Sequence, residues 1–401
     1  MCEGGRPPLE ANVVLIRFNC EAYLAIIRLM YLWQSPLWPN LTHDAAAIAP
    51  DVARARMAQG QLLGVAGSLQ LLDLGELQLS GWVQEAMATA QIEGETLPLH
   101  SVRASAARRL GLPDAVPTQR DPRTEATLDI LQAAATQWQQ PLTTEQVLAW
   151  HAALFPTGYS GFTRIAAGQY RTHAEPMQIV TPRLGKPDVV HYEAPPSSEV
   201  PAHMHALLGW FNASRGQMDG LVRAALLHLR FEAIHPFEDG NGRVGRALAE
   251  LALAQDMQTP QRLFSLSAQL WADRKGYYEQ LQAATGQAHV DVTPWVRWFV
   301  GCVERACLAA LAQIQTAIDK SRLWGRINSS HPELSASQRK ALNKIIDSGP
   351  QGFSRGISTE KYVNLTGVSR ATAWRELTQL AEWRLLVKTG QGRATRYVWE
   401  W

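Results

Sequence analysis

Long apolar runs are missing from this 401-residue chain, although 46% of its residues are hydrophobic. A helix that crosses a bilayer needs about 20 consecutive apolar residues, and no stretch of the sequence reaches that length. The composition instead indicates globular domains with sizeable cores, and the length allows two or three of them. We therefore expect no membrane span and a cytoplasmic location.

Cysteine is scarce and charge is nearly balanced. The four cysteines, Cys2, Cys20, Cys302 and Cys307, include no CxxC pair of the kind that binds zinc. Cys302 and Cys307 fall five residues apart on a predicted helix, where their side chains do not face each other. We expect reduced structural thiols. The net charge of +2 favours neither a general nucleic-acid binder nor a membrane-surface protein.

One short segment concentrates the chemistry: His235-Pro-Phe-Glu-Asp-Gly-Asn-Gly-Arg-Val-Gly-Arg246. It follows a largely apolar run at 226–234 and leads into a helical pattern at 244–255. A loop that feeds a helix start gathers free backbone N–H groups at the positive end of the helix dipole, so it binds anions. Gly240 and Gly242 let the backbone approach a phosphate without an intervening Cβ. The segment predicts a site that moves a phosphate-bearing group.

The side chains of this segment suit that chemistry. His235 is the natural general base, because imidazole titrates near neutral pH. Asp239 offers the hard oxygen ligands that Mg²⁺ prefers, and its alternative role is a helix N-cap. Arg243 and Arg246 are three residues apart and share a helix face, where their guanidinium groups match phosphate oxygens at two points. The alternative for such arginines is a solvated face, but the adjacent glycine-rich helix start favours phosphate binding.

The segment also matches the signature of the Fic family, His-Pro-Phe-x-Asp-Gly-Asn-Gly-Arg-x-x-Arg, at every defined position. This resemblance implies transfer of AMP from ATP to a Ser, Thr or Tyr hydroxyl of a target protein, which includes the chain itself. It also implies Mg²⁺ or Mn²⁺ as the metal. The implied roles are His235 as base, Asp239 as metal ligand, Gly240, Asn241 and Gly242 at the α-phosphate, Arg243 at the β-phosphate and Arg246 at the γ-phosphate.

Two further features resemble parts of Fic proteins. Tyr277 and Tyr278 resemble a tyrosine pair that borders the adenine, and Tyr277 is the expected adenine contact, with plain packing as its alternative. Short β-like runs at 177–182 and 188–192 predict a hairpin. The hairpin resembles the flap that holds a target segment by strand addition, which uses main-chain hydrogen bonds.

A short pattern ahead of the core resembles the family's inhibitory motif, [Ser/Thr]-x-x-x-Glu-[Gly/Asn]. It reads Thr89-Ala-Gln-Ile-Glu93-Gly94 and ends a predicted helix. The resemblance implies that Glu93 pairs with Arg246, removes the γ-phosphate partner and leaves ATP in an unproductive pose. The alternative is an exposed carboxylate before a glycine helix cap.

The chain as a whole is predicted to be mostly α-helical. Apolar residues recur at helical spacing over 47–67, 74–92, 99–110, 123–139, 144–154, 199–213, 221–234, 242–255, 268–285 and 293–318. We expect a disordered tail or a mis-assigned start at 1–29, with Met30 as the natural start, then an N-terminal helical region at 30–115. A Fic core at 116–325 and a winged helix-turn-helix at 330–401 follow.

The C-terminal region has its own pattern of helix, turn and helix at 358–365, 367 and 369–382, followed by β-like runs at 385–387 and 396–399. Arg370 and Arg375 fall on the candidate recognition helix, with Lys388, Arg393 and Arg396 in the wing. Such residues suit DNA phosphates, and a solvated face on a protein-interaction domain is the alternative. A homodimer is also left open.

Two other functions remain open from the sequence. The first is removal of AMP from a modified protein, with Glu93 aligning a water molecule. The second is a DNA-binding regulator whose Fic core only senses nucleotide. Salt-dependent binding to a short duplex without labelling of any protein would distinguish the second function.

Overall fold

The computed structural model describes residues 31–69, 71–112, 119–181, 183, 187, 189–353 and 355–399. The tail predicted at 1–29 lies outside the described residues. Two compact units divide the chain: the first ends at Leu311 and the second is Ala312–Trp401. Within the described ranges, no helix is long and apolar enough to cross a membrane.

Helices form most of the described structure. They are α1 (Ala45–Ser68), α2 (Leu71–Ile92), α3 (Leu99–Arg109), α4 (Pro122–Thr136), α5 (Thr144–Leu154), α6 (Val200–Ala213), α7 (Gly220–Ile234), α8 (Asn241–Met257), α9 (Leu266–Ala272), α10 (Arg274–Thr285), α11 (Thr293–Ser330), α12 (Ala336–Gly352), α13 (Thr359–Thr366) and α14 (Arg370–Glu382). The strands are β1 (Tyr159–Ser160), β2 (Thr163–Arg164), β3 (Gln178–Thr181), β4 (Val189–Glu193), β5 (Val387–Thr389) and β6 (Arg396–Val398).

The centre of the first unit is helix α7 packed against helix α8. Every residue of α7 from Leu221 to Ile234 is buried, and so is every residue of α8 from Val244 to Gln255. A helix that is buried all round is mostly apolar, which explains the largely apolar run before the motif; its polar residues Arg223, His228, Arg230 and Glu232 are buried too. The loop between these two helices carries the motif, so two buried helices position it.

Local sequence sets the ends of both helices. Asp219 caps the start of α7 by accepting hydrogen bonds from the N–H groups of Leu221 and Val222. Helix α7 ends at His235, and Pro236 cannot continue it. Helix α8 begins after Gly240, whose φ of 81° lies in the left-handed region that glycine adopts without strain.

The N-terminal helices pack as a layer that brings the end of α2 beside α8. Helix α2 contacts α3, α9 and α8. Its buried residues Trp82, Ala86 and Ala90 share an apolar cluster with Val102 of α3 and Leu128 of α4. This packing places the end of α2, with the predicted inhibitory motif, next to the start of α8.

Three antiparallel strand pairs complete the fold: β1 with β2, β3 with β4, and β5 with β6. The hairpin predicted from sequence at 177–192 is the pair β3–β4, with an irregularity of register between Ile179 and Val180. The hydroxyl of the buried Tyr192 donates to the carbonyl oxygen of Ala233 in α7. This bond anchors the hairpin to the core.

The second unit has a small core of its own. Helices α12, α13 and α14 and the pair β5–β6 share an apolar cluster that includes Leu342, Tyr362, Leu377 and Tyr397. The turn between α13 and α14 contains Gly367 at a φ of 80°. The assignment of this unit as a winged helix-turn-helix stays a prediction.

Two helix predictions were wrong. The single helix expected at 268–285 is two helices, because Asp273 ends α9 and its side chain caps α10 by accepting from the N–H of Gly276. Helix α11 does not end at 318 but continues to Ser330. No proline interrupts it before Pro332, and its later residues include the buried Ile327.

Candidate active site

His235 ends helix α7 in a strained conformation. Its φ of 48° and ψ of 61° are left-handed values, and its N–H donates to the carbonyl oxygen of Phe231 at 2.9 Å. Non-glycine residues adopt this conformation at a cost of about 1–2 kcal/mol. Burial, followed by the charge of Arg171, lowers the pKa of His235 to about 4. The imidazole is therefore neutral at physiological pH and able to accept a proton.

Arg171 holds the turn that carries His235. Its Nε donates to the carbonyl oxygen of His235 at 2.8 Å, and its Nη2 donates to those of Ile234 and Pro195. Its Nη1 donates to Ser197 Oγ at 2.9 Å. The guanidinium, in a residue that is 1% exposed, thus links the catalytic loop to the segment after strand β4. Reasoning from the sequence missed Arg171.

The rest of the loop is fixed by a second buried histidine. The ring of His151 stacks on Phe237 with centroids 3.9 Å apart. His151 Nδ1 accepts from the N–H of Gly168 at 2.9 Å, so its Nε2 carries the proton and donates to the carbonyl oxygen of Asp239 at 3.0 Å. Burial lowers the pKa of His151 to about 4. His151 thus shapes the loop as a neutral group, and Phe237 is part of the core.

The side chain of Asn241 bonds with the backbone of the loop. Its Oδ1 accepts from the N–H of Phe237 at 2.9 Å, and its Nδ2 donates to the carbonyl oxygen of Phe237 at 2.8 Å. Asn241 as a whole residue is 2% exposed. The amide oxygen and one amide N–H therefore close the loop, and the expected contact of Asn241 with the α-phosphate stays a prediction. The backbone at the start of α8 remains available for that phosphate.

Asp239 presents a partly open carboxylate beside the helix start. Its side chain is 41% exposed, and its Oδ2 accepts from the hydroxyl of Ser160 while its Oδ1 accepts from the N–H of Gly240. Gly240, rather than Asp239, is the N-cap residue of α8. The N-cap alternative therefore does not describe Asp239.

A single open carboxylate fits Mg²⁺, which binds through one or two carboxylates, water and substrate phosphates. In the part of the chain that the structure describes, no cluster of three or more His, Cys, Asp or Glu side chains could hold a metal by itself. Asp239 alone thus suits a metal that arrives with a nucleotide, and it does not suit a permanently bound structural ion.

Arg246 is buried against the end of helix α2, and the expected pair with Glu93 is present. Its Nη2 donates to Glu93 Oε1 at 2.7 Å and its Nε donates to Thr89 Oγ1 at 2.8 Å. The side chains of Arg246 and Glu93 are 2% and 28% exposed. Burial alone would lower the pKa of Arg246, but Glu93 and other negative groups raise it above its ordinary value. All the polar contacts described for this guanidinium are with Thr89 and Glu93 of the predicted inhibitory motif.

Gly242 makes room for this contact. A Cβ atom at position 242 would clash with Glu93 Oε1 and lie 2.9 Å from Arg246 Nη1. The glycine thus lets the carboxylate lie directly against the first turn of α8. That turn is also where the free N–H groups of the helix start are found.

Arg243 is held by groups on three sides. Its Nη1 lies 2.8 Å from Glu95 Oε1, and its Nη2 lies 3.8 Å from Asp239 Oδ1. The guanidinium carbon lies 4.9 Å from the centroid of the Phe155 ring. Glu95 was not singled out from the sequence, because it lies just beyond the inhibitory pattern.

Tyr277 is part of the core, which favours plain packing over the predicted adenine contact. It is 2% exposed, its hydroxyl bonds with His228 Nε2 at 2.9 Å, and its ring stacks on Trp298. Its neighbour Tyr278 is 42% exposed, with Arg274 over its ring. The exposed member of the tyrosine pair is therefore Tyr278.

Comparison with known proteins places this geometry in context. Residues 141–253 match the model of the Fic/DOC family, and residues 31–112 match a domain of unknown function, DUF4172. The protein adenylyltransferase Fic of Nematostella vectensis is 30% identical over 141 residues, which are 35% of this chain and 31% of that protein. That of Culex quinquefasciatus is 31% identical over 163 residues, 40% of this chain and 28% of that protein. The match spans less than a third of these relatives' length.

A solved structure extends the likeness of fold. A Fic family protein from Desulfovibrio desulfuricans G20 has a TM-score of 0.52 and 21% identity, over 90% of this chain and 98% of that chain. At this identity the likeness shows the fold alone. The mostly α-helical Fic-type fold predicted from the sequence is confirmed.

Proposed function

We propose, because residues 141–253 match the model of the Fic/DOC family, that the chain transfers AMP from ATP to a hydroxyl side chain of a target protein. The observation that carries the proposal is the loop at 235–240. The loop begins at His235, whose imidazole is neutral. It leads into the start of helix α8, which carries Arg243 and Arg246. In the reaction, the target oxygen bonds to the α-phosphorus, the bond to the bridging oxygen of the β-phosphate breaks, and pyrophosphate leaves.

His235 would take the proton of the attacking hydroxyl. Its lowered pKa of about 4 keeps the nitrogen unprotonated at physiological pH, as a base must be. Its left-handed backbone is the kind of local strain that collects at functional sites. The contacts of Arg171 and the stacked pair His151 and Phe237 stabilise that strained turn.

The phosphates would lie at the start of helix α8. The free backbone N–H groups of its first turn and the helix dipole favour the negative α-phosphate. Arg243 and Arg246 would bind the β- and γ-phosphates and so stabilise the departing pyrophosphate. Asp239 would hold Mg²⁺ or Mn²⁺, and a bound metal would neutralise phosphate charge. Tyr278 replaces Tyr277 as the proposed neighbour of the adenine.

The contact between Glu93 and Arg246 supports autoinhibition. The guanidinium cannot offer the same donor to a γ-phosphate while Nη2 donates to Glu93 and Nε to Thr89. ATP would then bind without its γ-phosphate ligand, and its α-phosphate would not face the incoming hydroxyl. Gly94 belongs to the same inhibitory brake, by which we mean Thr89, Glu93 and Gly94. Its φ of 77° turns the chain immediately after Glu93.

The hairpin β3–β4 is the proposed docking place for the target. Among the residues that the structure describes, each of its strands pairs only with the other, so each has an edge that another strand could join. Ile179, Val180 and Val190 expose about two fifths of their surfaces. A target segment added as a strand would meet both main-chain groups and apolar side chains. The target includes a second copy of this chain in self-modification.

One experiment tests this function and separates it from AMP removal. Wild type, Glu93→Gly and His235→Ala are incubated with α-labelled ATP and candidate proteins, with γ-labelled ATP as the matched control. We expect label only from the α position, most in Glu93→Gly and none in His235→Ala. No label from any variant would contradict AMP transfer. A modified protein that wild type strips but Glu93→Gly leaves intact would favour AMP removal.

We propose DNA binding as a second function, confined to the unit Ala312–Trp401. This unit contains 14 Lys and Arg against 7 Asp and Glu, a net charge of +7, whereas the whole chain carries +2. Arg370, Trp374 and Arg375 are exposed on α14 and Lys388 is exposed on β5. A basic second helix after a turn suits the major groove.

Binding of a short labelled duplex tests this second function. The duplex should bind with strong salt dependence, and the double variant Arg370→Ala with Arg375→Ala should bind it more weakly. No binding of the duplex at low salt would contradict DNA binding.

A further inference from the structure

The turn after helix α2 places two carboxylates, and not one, on the two arginines of helix α8. Glu95 Oε1 lies 2.8 Å from Arg243 Nη1, and Glu93 Oε1 lies 2.7 Å from Arg246 Nη2. The side chains of Arg243 and Glu95 are 11% and 32% exposed, so water screens this pair only in part. The contact between Glu95 and Arg243 lies outside the predicted inhibitory motif, which ends at Gly94.

The backbone of the turn explains why both carboxylates arrive together. The N–H of Glu95 donates to the carbonyl oxygen of Ala90 at 2.9 Å, and the N–H of Gly94 donates to that of Gln91 at 3.0 Å. With Gly94 at a φ of 77°, these two bonds form the Schellman motif that commonly ends a helix. The motif fixes Glu93 and Glu95 relative to α2, so they move as one body.

We propose that Glu95 is a second inhibitory residue, which occupies Arg243 and excludes the β-phosphate as Glu93 occupies Arg246 and excludes the γ-phosphate. This inference rests on the proposed function, because the phosphate positions come from it. Its consequence is that the turn masks both ligands of the departing pyrophosphate. Removal of Glu93 alone leaves Glu95 against Arg243.

The surroundings of Arg243 argue against a merely structural role for Glu95. The guanidinium lies over the Phe155 ring and near Asp239 Oδ1, so it keeps two neighbours when Glu95 is neutralised. Loss of the Glu95 charge therefore leaves Arg243 in place with a donor free. The same loss removes a negative charge that repels the phosphates of an incoming nucleotide.

Nucleotides of different length separate the two contacts. We would measure, by titration calorimetry, the affinity of the full chain for ADP and ATP in wild type, Glu95→Gln, Glu93→Gln and the double variant. Glu95→Gln should tighten both ADP and ATP by about fivefold, the scale of a partly screened ion pair. Glu93→Gln should tighten ATP and leave ADP unchanged, because ADP has no γ-phosphate. Glu76→Gln, on the exposed face of the same helix, is the control and should change neither.

The outcomes distinguish this inference from the proposed function. If wild type binds ADP and Glu95→Gln binds it no more tightly, Glu95 is not a second brake, whatever the transfer activity is. Equal tightening of ADP by Glu93→Gln and Glu95→Gln would show a general charge effect and overturn the assignment of each carboxylate to one phosphate. If no variant, including the double, binds ADP or ATP, both the inference and the proposed function fail. As a second readout, Glu93→Gln with Glu95→Gln should self-modify faster than Glu93→Gln alone.

Discussion

The Nε of Arg171 donates a 2.8 Å hydrogen bond to the carbonyl oxygen of His235, the residue that ends helix α7 in a left-handed conformation. The same guanidinium bonds with Ile234, Pro195 and Ser197. One buried cation therefore stabilises the turn, and its charge helps to keep the imidazole neutral. The geometry and the protonation state of the proposed base depend on one side chain.

Replacement of Arg171 should change the pH dependence of transfer as well as its rate. Arg171→Met removes a positive charge near His235, so the pKa of the imidazole should rise from about 4 towards its ordinary value. The base is active when neutral, and activity is lost as pH falls through that pKa. The acid limb of the rate profile should therefore move to higher pH.

Arg171→Lys is the matched control for that profile. Lysine keeps the charge but loses the planar fork that reaches several carbonyl oxygens, so the rate should fall by about tenfold while the acid limb stays where it is. Rates measured from about pH 4 to about pH 8 give both quantities. An unshifted acid limb in Arg171→Met would show that Arg171 acts on the shape of the loop only.

His235→Ala should abolish transfer and leave ATP binding nearly intact. The imidazole is proposed to accept a proton, whereas the start of helix α8 and its arginines are proposed to bind the phosphates. Loss of a general base lowers a rate by about 100-fold or more. Labelling with α-labelled ATP and calorimetric titration with ATP check the two halves of this prediction. A variant that transfers at a rate comparable to wild type would remove His235 from the mechanism.

How far the sequence predicts this site depends on where the residues lie along the chain. The motif residues are contiguous, so their spacing alone places a base, a carboxylate and two arginines at one helix start. The residues that hold them come from elsewhere: Arg171, His151 and Ser160 are 64, 88 and 79 residues from their partners. Only the fold brings those residues to the loop, and a single sequence carries no signal for such contacts.

Burial limits what the sequence alone predicts about individual side chains. An amide and a phenol suit a nucleotide by their chemistry, but Asn241 and Tyr277 are each 2% exposed and find their partners inside the protein. The helix ends show the same limit. The Thr-x-x-Gln spacing of Thr143 and Gln146 predicts a capping box, and the structure has it. The break at Asp273 was missed, because no glycine or proline marks it.

Activity should require Mg²⁺ or Mn²⁺ and fall sharply in Asp239→Ala. Asp239 is the partly open carboxylate beside the helix start, and it accepts only from Ser160 and Gly240 among the bonds described. Ser160→Ala, which removes one of these donors and keeps the carboxylate, should retain most of the metal dependence. Transfer rates are measured against metal concentration. Full activity of wild type in excess chelator would contradict a metal at Asp239.

Catalysis should tolerate deletion of the chain from Ser330 onward. Every residue proposed to act on ATP lies between His235 and Tyr278, within the unit that ends at Leu311. The deletion removes only the last residue of helix α11. The truncated protein, checked for folding by circular dichroism, should keep self-modification in the Glu93→Gly background. A folded but inactive product would show that the second unit contributes to the site.

The last prediction concerns the single backbone angle on which both carboxylates depend. Gly94 has a φ of 77°, and a Cβ atom added there would meet no atom within 4 Å. A substitution therefore acts through conformation alone. Asparagine tolerates left-handed values, so Gly94→Asn should keep the brake, in agreement with the Gly or Asn of the inhibitory pattern.

A β-branched residue at the same position should release the brake. In Gly94→Val the left-handed conformation is strained by about 1–2 kcal/mol, so the Schellman turn should open and Glu93 and Glu95 should leave Arg246 and Arg243. Self-modification should then rise by about tenfold over wild type, since 1.4 kcal/mol corresponds to that factor, and it should not exceed the double variant Glu93→Gln with Glu95→Gln. The rate of labelling from α-labelled ATP is compared across the four proteins. If Gly94→Asn and Gly94→Val label equally, the turn does not control the arginines, and inhibition in this chain has another source.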